Sequence, residues 1–229
     1  MRHMAPNLTR VTRFGLVNAY LVGEADGLTL VDTLLPRSAK PILAEAARLG
    51  APIVRIVLTH GHGDHVGSLD ALVAHLGGGV EVLISPRDDK LLRKDRAPEP
   101  DEPTGAKVRG GVPGTKTRPS GLLAPGDRVG SLEVVASPGH TPGHISLLDT
   151  RDRTLIAGDA FSTLGGVATT AKPNPRFPLP GLVTWHRPTA LESARALRAL
   201  DAARLVVGHG KPVEAPGAQM DAAITKAAA

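Results

Sequence analysis

The chain has 229 residues, 41% of them hydrophobic, and no cysteine. That length buries a core large enough to fold without disulfides or a structural metal, and the missing thiols exclude thiolate catalysis, thiolate metal sites and disulfides. The formal charge of +5 is spread over dispersed basic residues, and three Phe, one Trp and one Tyr form no stacking platform, which argues against a nucleic-acid partner.

Met1 to Phe14 alternates polar and apolar residues and holds no apolar stretch long enough for a leader. Nowhere do about 18 apolar residues run together, so no membrane span is expected and the reading is a cytoplasmic protein without a membrane partner. Short apolar runs at 28–31, 53–58, 80–84, 132–136, 145–148, 155–157 and 205–207 read as strands. Several are apolar almost throughout, which suggests burial on both faces. Between them lie helical patterns. Ser38 can cap a helix to about Leu49, and Val66, Leu69, Leu72, Val73 and Leu76 form a stripe stopped by Gly77, Gly78 and Gly79. Thr189 and Glu192 make a capping box for a third helix, and the tail after Gly217 reads as a short frayed helix. Residues 86–121 and 165–186 are rich in Pro and Gly and read as long loops, the first a lid or an insert. The expectation is one mixed α and β domain over residues 1–229, with the insert at about 86–121.

The informative stretch is Thr59-His60-Gly61-His62-Gly63-Asp64-His65, directly after a strand-like run. Imidazole and carboxylate are the ligands of zinc and similar metals. His60 and His62 leave an extended segment on one side, and Asp64 and His65 follow as the chain turns into a helix. Gly61 and Gly63 are expected to free the backbone for that path through unusual dihedrals. The four side chains can then diverge toward two adjacent metal positions. Further candidates stand after Gly at strand ends: His140 in Ser137-Pro138-Gly139-His140-Thr141-Pro142-Gly143-His144, Asp159 after Gly158, and His209 between Gly208 and Gly210.

This set resembles the metallo-β-lactamase superfamily. The likeness runs from Leu30-Val31-Asp32-Thr33 to Gly208-His209-Gly210, with His-x-His-x-Asp-His matching at 60–65. It implies an α+β fold, a four-layer αββα sandwich of two mixed β-sheets flanked by helices. It implies one metal held by His60, His62 and His140, a second by Asp64, His65 and His209, and Asp159 bridging them. The cofactor expected from it is a pair of divalent metal ions, zinc first, with iron or manganese as the other candidates. The implied activity is hydrolysis of an ester, thioester or lactone carbonyl in a small-molecule substrate by a hydroxide that two ions share, with Asp64 as the catalytic residue that orients it. Asp159 stands where true β-lactamases commonly carry Cys or Ser, and the 138–144 phrase resembles glyoxalase II and lactonases.

Three rival activities fit the same fold: an iron-dependent oxidoreductase like a persulfide dioxygenase, a β-lactamase, and a nuclease using Arg87, Lys90, Arg93, Lys94, Arg96, Lys107, Arg109, Lys116 and Arg118 of the insert. Acidic neighbours, Asp88 and Asp89 among them, dilute that basic run. Asp32 is expected to hold the metal loop by hydrogen bonds. His144 reads as a structural group at a strand start, with a hydrogen-bonding role behind the ligands as the alternative. His75 reads as a surface residue, His186 as bland or near a pocket, and Phe161 and Trp185 as core.

Overall fold

A computed structural model describes residues 3–5 and 7–229, so Met1, Arg2 and Pro6 of the stretch read for a leader lie outside the described residues. The chain divides into two compact units, Met1–Lys94 with Gly111–Leu123, and Asp95–Gly110 with Ala124–Ala229.

The first unit contains, in chain order, β1 (His3–Ala5), β2 (Leu8–Arg13), β3 (Val17–Glu24), β4 (Gly27–Val31), α1 (Ala39–Leu49), β5 (Ile53–Val57), α2 (Gly63–Val66), α3 (Leu69–Leu76), β6 (Glu81–Ile84), α4 (Pro86–Leu92) and β7 (Gly121–Leu122). Its strands form one seven-stranded sheet in sequence order. The pairs from β1 to β4 are antiparallel and those from β4 to β7 parallel, so the sheet is mixed. The core gathers Leu21, Leu30, Ile42, Ile56, Leu69, Leu72 and Ile84, all buried. Parallel pairing of β4, β5 and β6 brings their carboxyl ends side by side. The loops that follow, at Asp32, at Thr59-His60 and at Ser85, therefore share one edge of the sheet.

Several local expectations change. Ser38 precedes α1 but makes no side-chain cap bond; its backbone N–H donates instead to Ser68 Oγ at 2.8 Å. The stripe from Val66 to Leu76 is broken at Gly67-Ser68 into α2 and α3. An added Cβ on Gly67 would lie 2.5 Å from the Gly63 carbonyl oxygen and from Pro36, so the break is a close approach of two backbones. The insert also begins as a helix, α4, with Pro86 in its first turn and Ser85 Oγ accepting from the Asp88 N–H at 3.2 Å.

The second unit contains β8 (Arg128–Val129), β9 (Leu132–Ala136), β10 (Ile145–Asp149), β11 (Thr154–Ile156), β12 (Phe161–Ser162), β13 (Ala168–Thr169), α5 (Leu179–Leu182), α6 (Arg187–Ala199), β14 (Arg204–Val206), β15 (Val213–Glu214) and α7 (Gly217–Ala228). Six strands make a mixed sheet in the order β15-β14-β11-β10-β9-β8, with β11 and β14 parallel and the other pairs antiparallel. β12 and β13 pair separately. Leu155, Ala194, Leu197, Leu205 and Met220 pack the core between this sheet, α6 and α7. Phe161 and Trp185 are both buried, as expected for core residues.

The third helix starts before its expected capping box. His186 is the N-cap of α6, its Nδ1 accepting from the Thr189 N–H at 3.4 Å. The tail helix is not a frayed stub: α7 spans 12 residues, and Arg198 of α6 pairs with its Asp221 at 2.9 Å. Among the described residues no helix is long and apolar enough to cross a membrane.

Candidate metal centre

In the first unit the carboxyl ends of β4 and β5 place Asp32 beside Thr59. The Asp32 N–H donates to the Val57 carbonyl at 2.9 Å, which fixes the two loops against each other. Asp32 Oδ1 accepts the Thr59 N–H at 2.8 Å, and Oδ2 accepts the Thr59 hydroxyl at 2.8 Å. The threonine proton is thereby directed to the carboxylate. Thr59 Oγ1, 3.0 Å from His60 Nδ1, is left to accept from that nitrogen. His65 Nδ1 lies 2.8 Å from Asp32 Oδ2. One buried carboxylate thus sets both His60 and His65 as the tautomer protonated on Nδ1, with the Nε2 lone pair directed away from it. Such a carboxylate behind a ligand histidine fixes ring orientation and raises its basicity.

His60, His62 and His65 are almost fully buried, and their rings crowd one another, with the His60 centroid 4.9 Å from that of His62 and 4.1 Å from that of His65. Buried imidazoles at this spacing are costly to charge together. Neutral imidazoles with aligned lone pairs are what a divalent cation takes. Asp64, partly exposed, lies with its Oδ2 3.9 Å from His65 Nε2. The four motif residues therefore lie together in this unit.

The reason for the motif glycines differs from expectation. Gly61 and Gly63 are not in the positive-φ region. They are small because the turn is crowded. A Cβ on Gly61 would lie 2.7 Å from Leu91 Cβ, and one on Gly63 would lie 3.1 Å from Pro113 Cδ. The Gly61 N–H also donates to Asp88 Oδ2 at 2.8 Å. Asp88, fully buried, is thus a support of the metal loop and not a diluting surface charge. Ser85, Pro86 and Asp88 form a helix-start pattern that could have signalled its place.

In the second unit Asp159 lies three residues beyond β11 and His209 three beyond its parallel neighbour β14, while His140 lies in the β9–β10 turn at the same sheet end. His140 Nε2 is 3.5 Å and His209 Nε2 3.1 Å from the same oxygen, Asp159 Oδ2. Two imidazoles thus converge on one buried carboxylate oxygen. Gly139 makes this turn possible. Its φ is 135°, and a Cβ there would lie 2.3–2.6 Å from Ala190. The Gly139 and His140 carbonyls accept from the His186 and Trp185 N–H groups, both at 2.9 Å, tying the turn to the start of α6.

His144 is buried and hydrogen-bonded at both ring nitrogens. Its Nε2 accepts the backbone N–H of Asp159 at 3.0 Å. Its Nδ1 is 2.8 Å from Ser137 Oγ, which is 2.7 Å from Ser146 Oγ, and Ser146 Oγ donates to the Ala157 carbonyl at 3.4 Å. These bonds read in one direction: Asp159 N–H to His144, His144 Nδ1–H to Ser137, Ser137 to Ser146, Ser146 to Ala157. A neutral His144 protonated on Nδ1 is what the chain of bonds requires. His75 is exposed in the last turn of α3, as expected of a surface residue.

Residues 12–209 match the family model described as the metallo-beta-lactamase superfamily. The chain belongs to the metallo-β-lactamase superfamily. Its two mixed sheets with flanking helices are the fold of that superfamily, as the resemblance implied. YobT of Bacillus subtilis (strain 168) is 46% identical over 212 residues, covering 92% of this chain and 90% of the relative. The probable metallo-hydrolase YflN of the same organism is 32% identical over 218 residues, 86% of this chain and 82% of the relative. Among solved structures, TTHA1623 in a di-iron-bound form aligns with a TM-score of 0.65 and 26% identity, covering 91% of this chain and 96% of that one. Membership places the chain in a superfamily of metallo-hydrolases, and its His and Asp residues are of the types that bind divalent metal.

Proposed function

We propose that the chain is a dinuclear metal hydrolase that cleaves a thioester, ester or lactone carbonyl of a small-molecule substrate. The observation that carries this is the grouping of largely buried His and Asp side chains beyond strand ends in each unit, each group backed by a hydrogen-bonded support. Their donor chemistry fits zinc-type ions: neutral imidazoles oriented by Asp32, and a carboxylate flanked by two imidazoles. In this reading His60, His62 and His140 would hold one ion, Asp64, His65 and His209 would hold the other, and Asp159 would serve both. Bound ions of this kind supply an activated water near neutral pH and polarise the carbonyl under attack. Asp64 orients the attacking water and accepts its proton on a carboxylate oxygen. Asp32 and His144 keep the ligands in place and touch neither water nor substrate.

The thioester preference is supported by a relative named hydroxyacylglutathione hydrolase from Rhodopseudomonas palustris, 33% identical over 127 residues. The match covers 56% of this chain and 41% of that relative, so the likeness supports the reaction type and leaves the acyl group open. The absence of cysteine supports a reducing compartment, the cytoplasm.

A second reading, an iron-dependent oxidoreductase, is favoured by the di-iron form of TTHA1623. The two separate in one assay set. Metal-loaded protein is tested for hydrolysis of a thioester, an aryl ester and a lactone, with oxygen uptake on a persulfide measured in parallel. Turnover of any carbonyl substrate, lost in Asp64→Asn, supports the hydrolase. Oxygen uptake without hydrolysis supports the oxidoreductase and overturns it.

A further inference from the structure

We propose that a cationic cavity in the first unit binds a phosphate group carried by the substrate, making the substrate a phosphorylated acyl compound. The assignment to substrate rests on the hydrolase reading above; the assignment to phosphate rests on the cavity. The cavity holds about 360 Å³ and is lined by Lys94, Lys116 and Arg118 together with Arg93, Asp70 and an apolar wall at Leu92 and Pro113. It uses the part of the basic insert that the metal centre leaves unexplained.

Arg93 is paired with Asp89, so Lys94, Lys116 and Arg118 carry the charge available to a ligand. Their backbone is held in place. Asp70 accepts the N–H groups of Lys116 and Thr117 at 3.0 and 2.8 Å. Burial alone would raise the Asp70 carboxyl, but these N–H bonds and the Lys116 charge outweigh it and hold it below the usual carboxylate range. The single carboxylate of the cavity is therefore ionised and committed to the backbone of the 115–118 loop. Arg118 donates to the Thr115 carbonyl at 2.7 Å, which sets its guanidinium before a ligand arrives. The Lys94 stem runs along Gly114, where an added Cβ would lie 2.7 Å from Lys94 Cγ. Two ammonium groups and one planar guanidinium around a concave site match a phosphate dianion in charge and donor geometry.

Position links the cavity to the reaction. Pro113 on its rim packs on Gly63, and the Gly63 N–H donates to the Gly111 carbonyl at 2.8 Å. The next residue is Asp64. Pro113 thus borders both the turn that leads into Asp64 and the cavity. The larger cavity of the second unit, about 440 Å³, also has basic residues. There, however, Lys172 Nζ donates to the Lys226 carbonyl in the last turn of α7 at 3.2 Å, so its charge answers a helix end.

The test is calorimetric titration of the metal-loaded full chain with phenyl phosphate, inorganic phosphate and a single-stranded oligonucleotide. The expected result is one phenyl phosphate per chain, bound more tightly than inorganic phosphate. Binding should weaken about tenfold or more in Lys116→Gln/Arg118→Gln and stay unchanged in Asp159→Asn. Both substituted side chains are exposed, and a thermal melt of the double variant shows that it is folded. Unchanged binding in the double variant, or loss only in Asp159→Asn, overturns the site. Inorganic phosphate binding as tightly as phenyl phosphate overturns the substrate-borne assignment. Tighter oligonucleotide binding with a steep salt dependence replaces it with a nucleic-acid surface. None of these readouts needs turnover, so the hydrolase reading can fail while the phosphate site stands, and the reverse.

Discussion

Asp32 Oδ2 takes the Nδ1–H of His65 at 2.8 Å while the same carboxylate holds the backbone and the hydroxyl of Thr59. A single side chain at the end of β4 therefore orients two proposed ligands that lie after β5. Asp32 itself sits at φ 62°, a region Asn tolerates better than most residues. Asp32→Asn should fold, yet its amide has one acceptor oxygen, and its NH2 cannot accept the bonds made at the other position. Metal affinity should fall about 10–100-fold, measured by competition with a chelator. Unaltered affinity would remove Asp32 from the support of the site.

His144 makes the corresponding prediction for the second unit. His144→Ala leaves the Asp159 N–H and Ser137 Oγ without their buried partner, at a cost of about 1–3 kcal/mol. A structural role alone would lower only the unfolding midpoint. A positioning role also weakens metal binding at the Asp159 side, so a metal titration of the folded variant should show a weakened step. Wild-type titration in a destabilised variant would show that His144 acts on stability only.

Gly139 and Gly78 separate space from composition. Gly139→Ala forces a Cβ into the Ala190 backbone at positive φ, and should cost about 3 kcal/mol through overpacking and strain. Gly78 has nothing within 4 Å of the added atom, so Gly78→Ala should lie within about 0.5 kcal/mol of the parent. Urea midpoints of the two variants provide the comparison, and equal midpoints would contradict the packing described for the 137–144 turn.

Asp149 predicts one acid limb of stability. Burial would raise its carboxyl, but the Arg151 side chain and N–H, the Arg151 charge and Ser131 together hold it below the usual range. A depressed folded value means stability that is complete above the unfolded carboxylate range, about pH 4, and is lost as pH falls through the folded value. Asp149→Asn should flatten that limb of a urea-midpoint profile below about pH 4, while a parallel displacement at every pH would assign the loss to packing.

Much of this was legible in the chain because the signals were local. His60, His62, Asp64 and His65 follow an apolar strand within six positions, and Gly precedes His140, Asp159 and His209 at strand ends. The resemblance to the superfamily rests on that order. The supports were less legible because they depend on partners distant in sequence. Asp88 looks like one acid in a charged insert until β6 brings it beneath Gly61, and the strict smallness of Gly61 depends on Leu91. The hairpin of β2 and β3 is faint in the sequence. Its turn at Phe14 and Gly15, both at positive φ, carries one glycine as its only strong signal. α7 is faint in the sequence because its hold comes from Arg198 and from burial of Met220 more than from its own short apolar stripe.

The most direct test of the dinuclear hydrolase is elemental analysis of purified protein alongside thioester hydrolysis, for the parent chain and for Asp159→Ala. The account predicts about two zinc-type ions per parent chain, with activity that falls as a chelator removes them, and loss of both stoichiometry and turnover in Asp159→Ala. A parent chain that hydrolyses thioesters with no bound metal, or an Asp159→Ala variant that retains both ions and full rate, would contradict it.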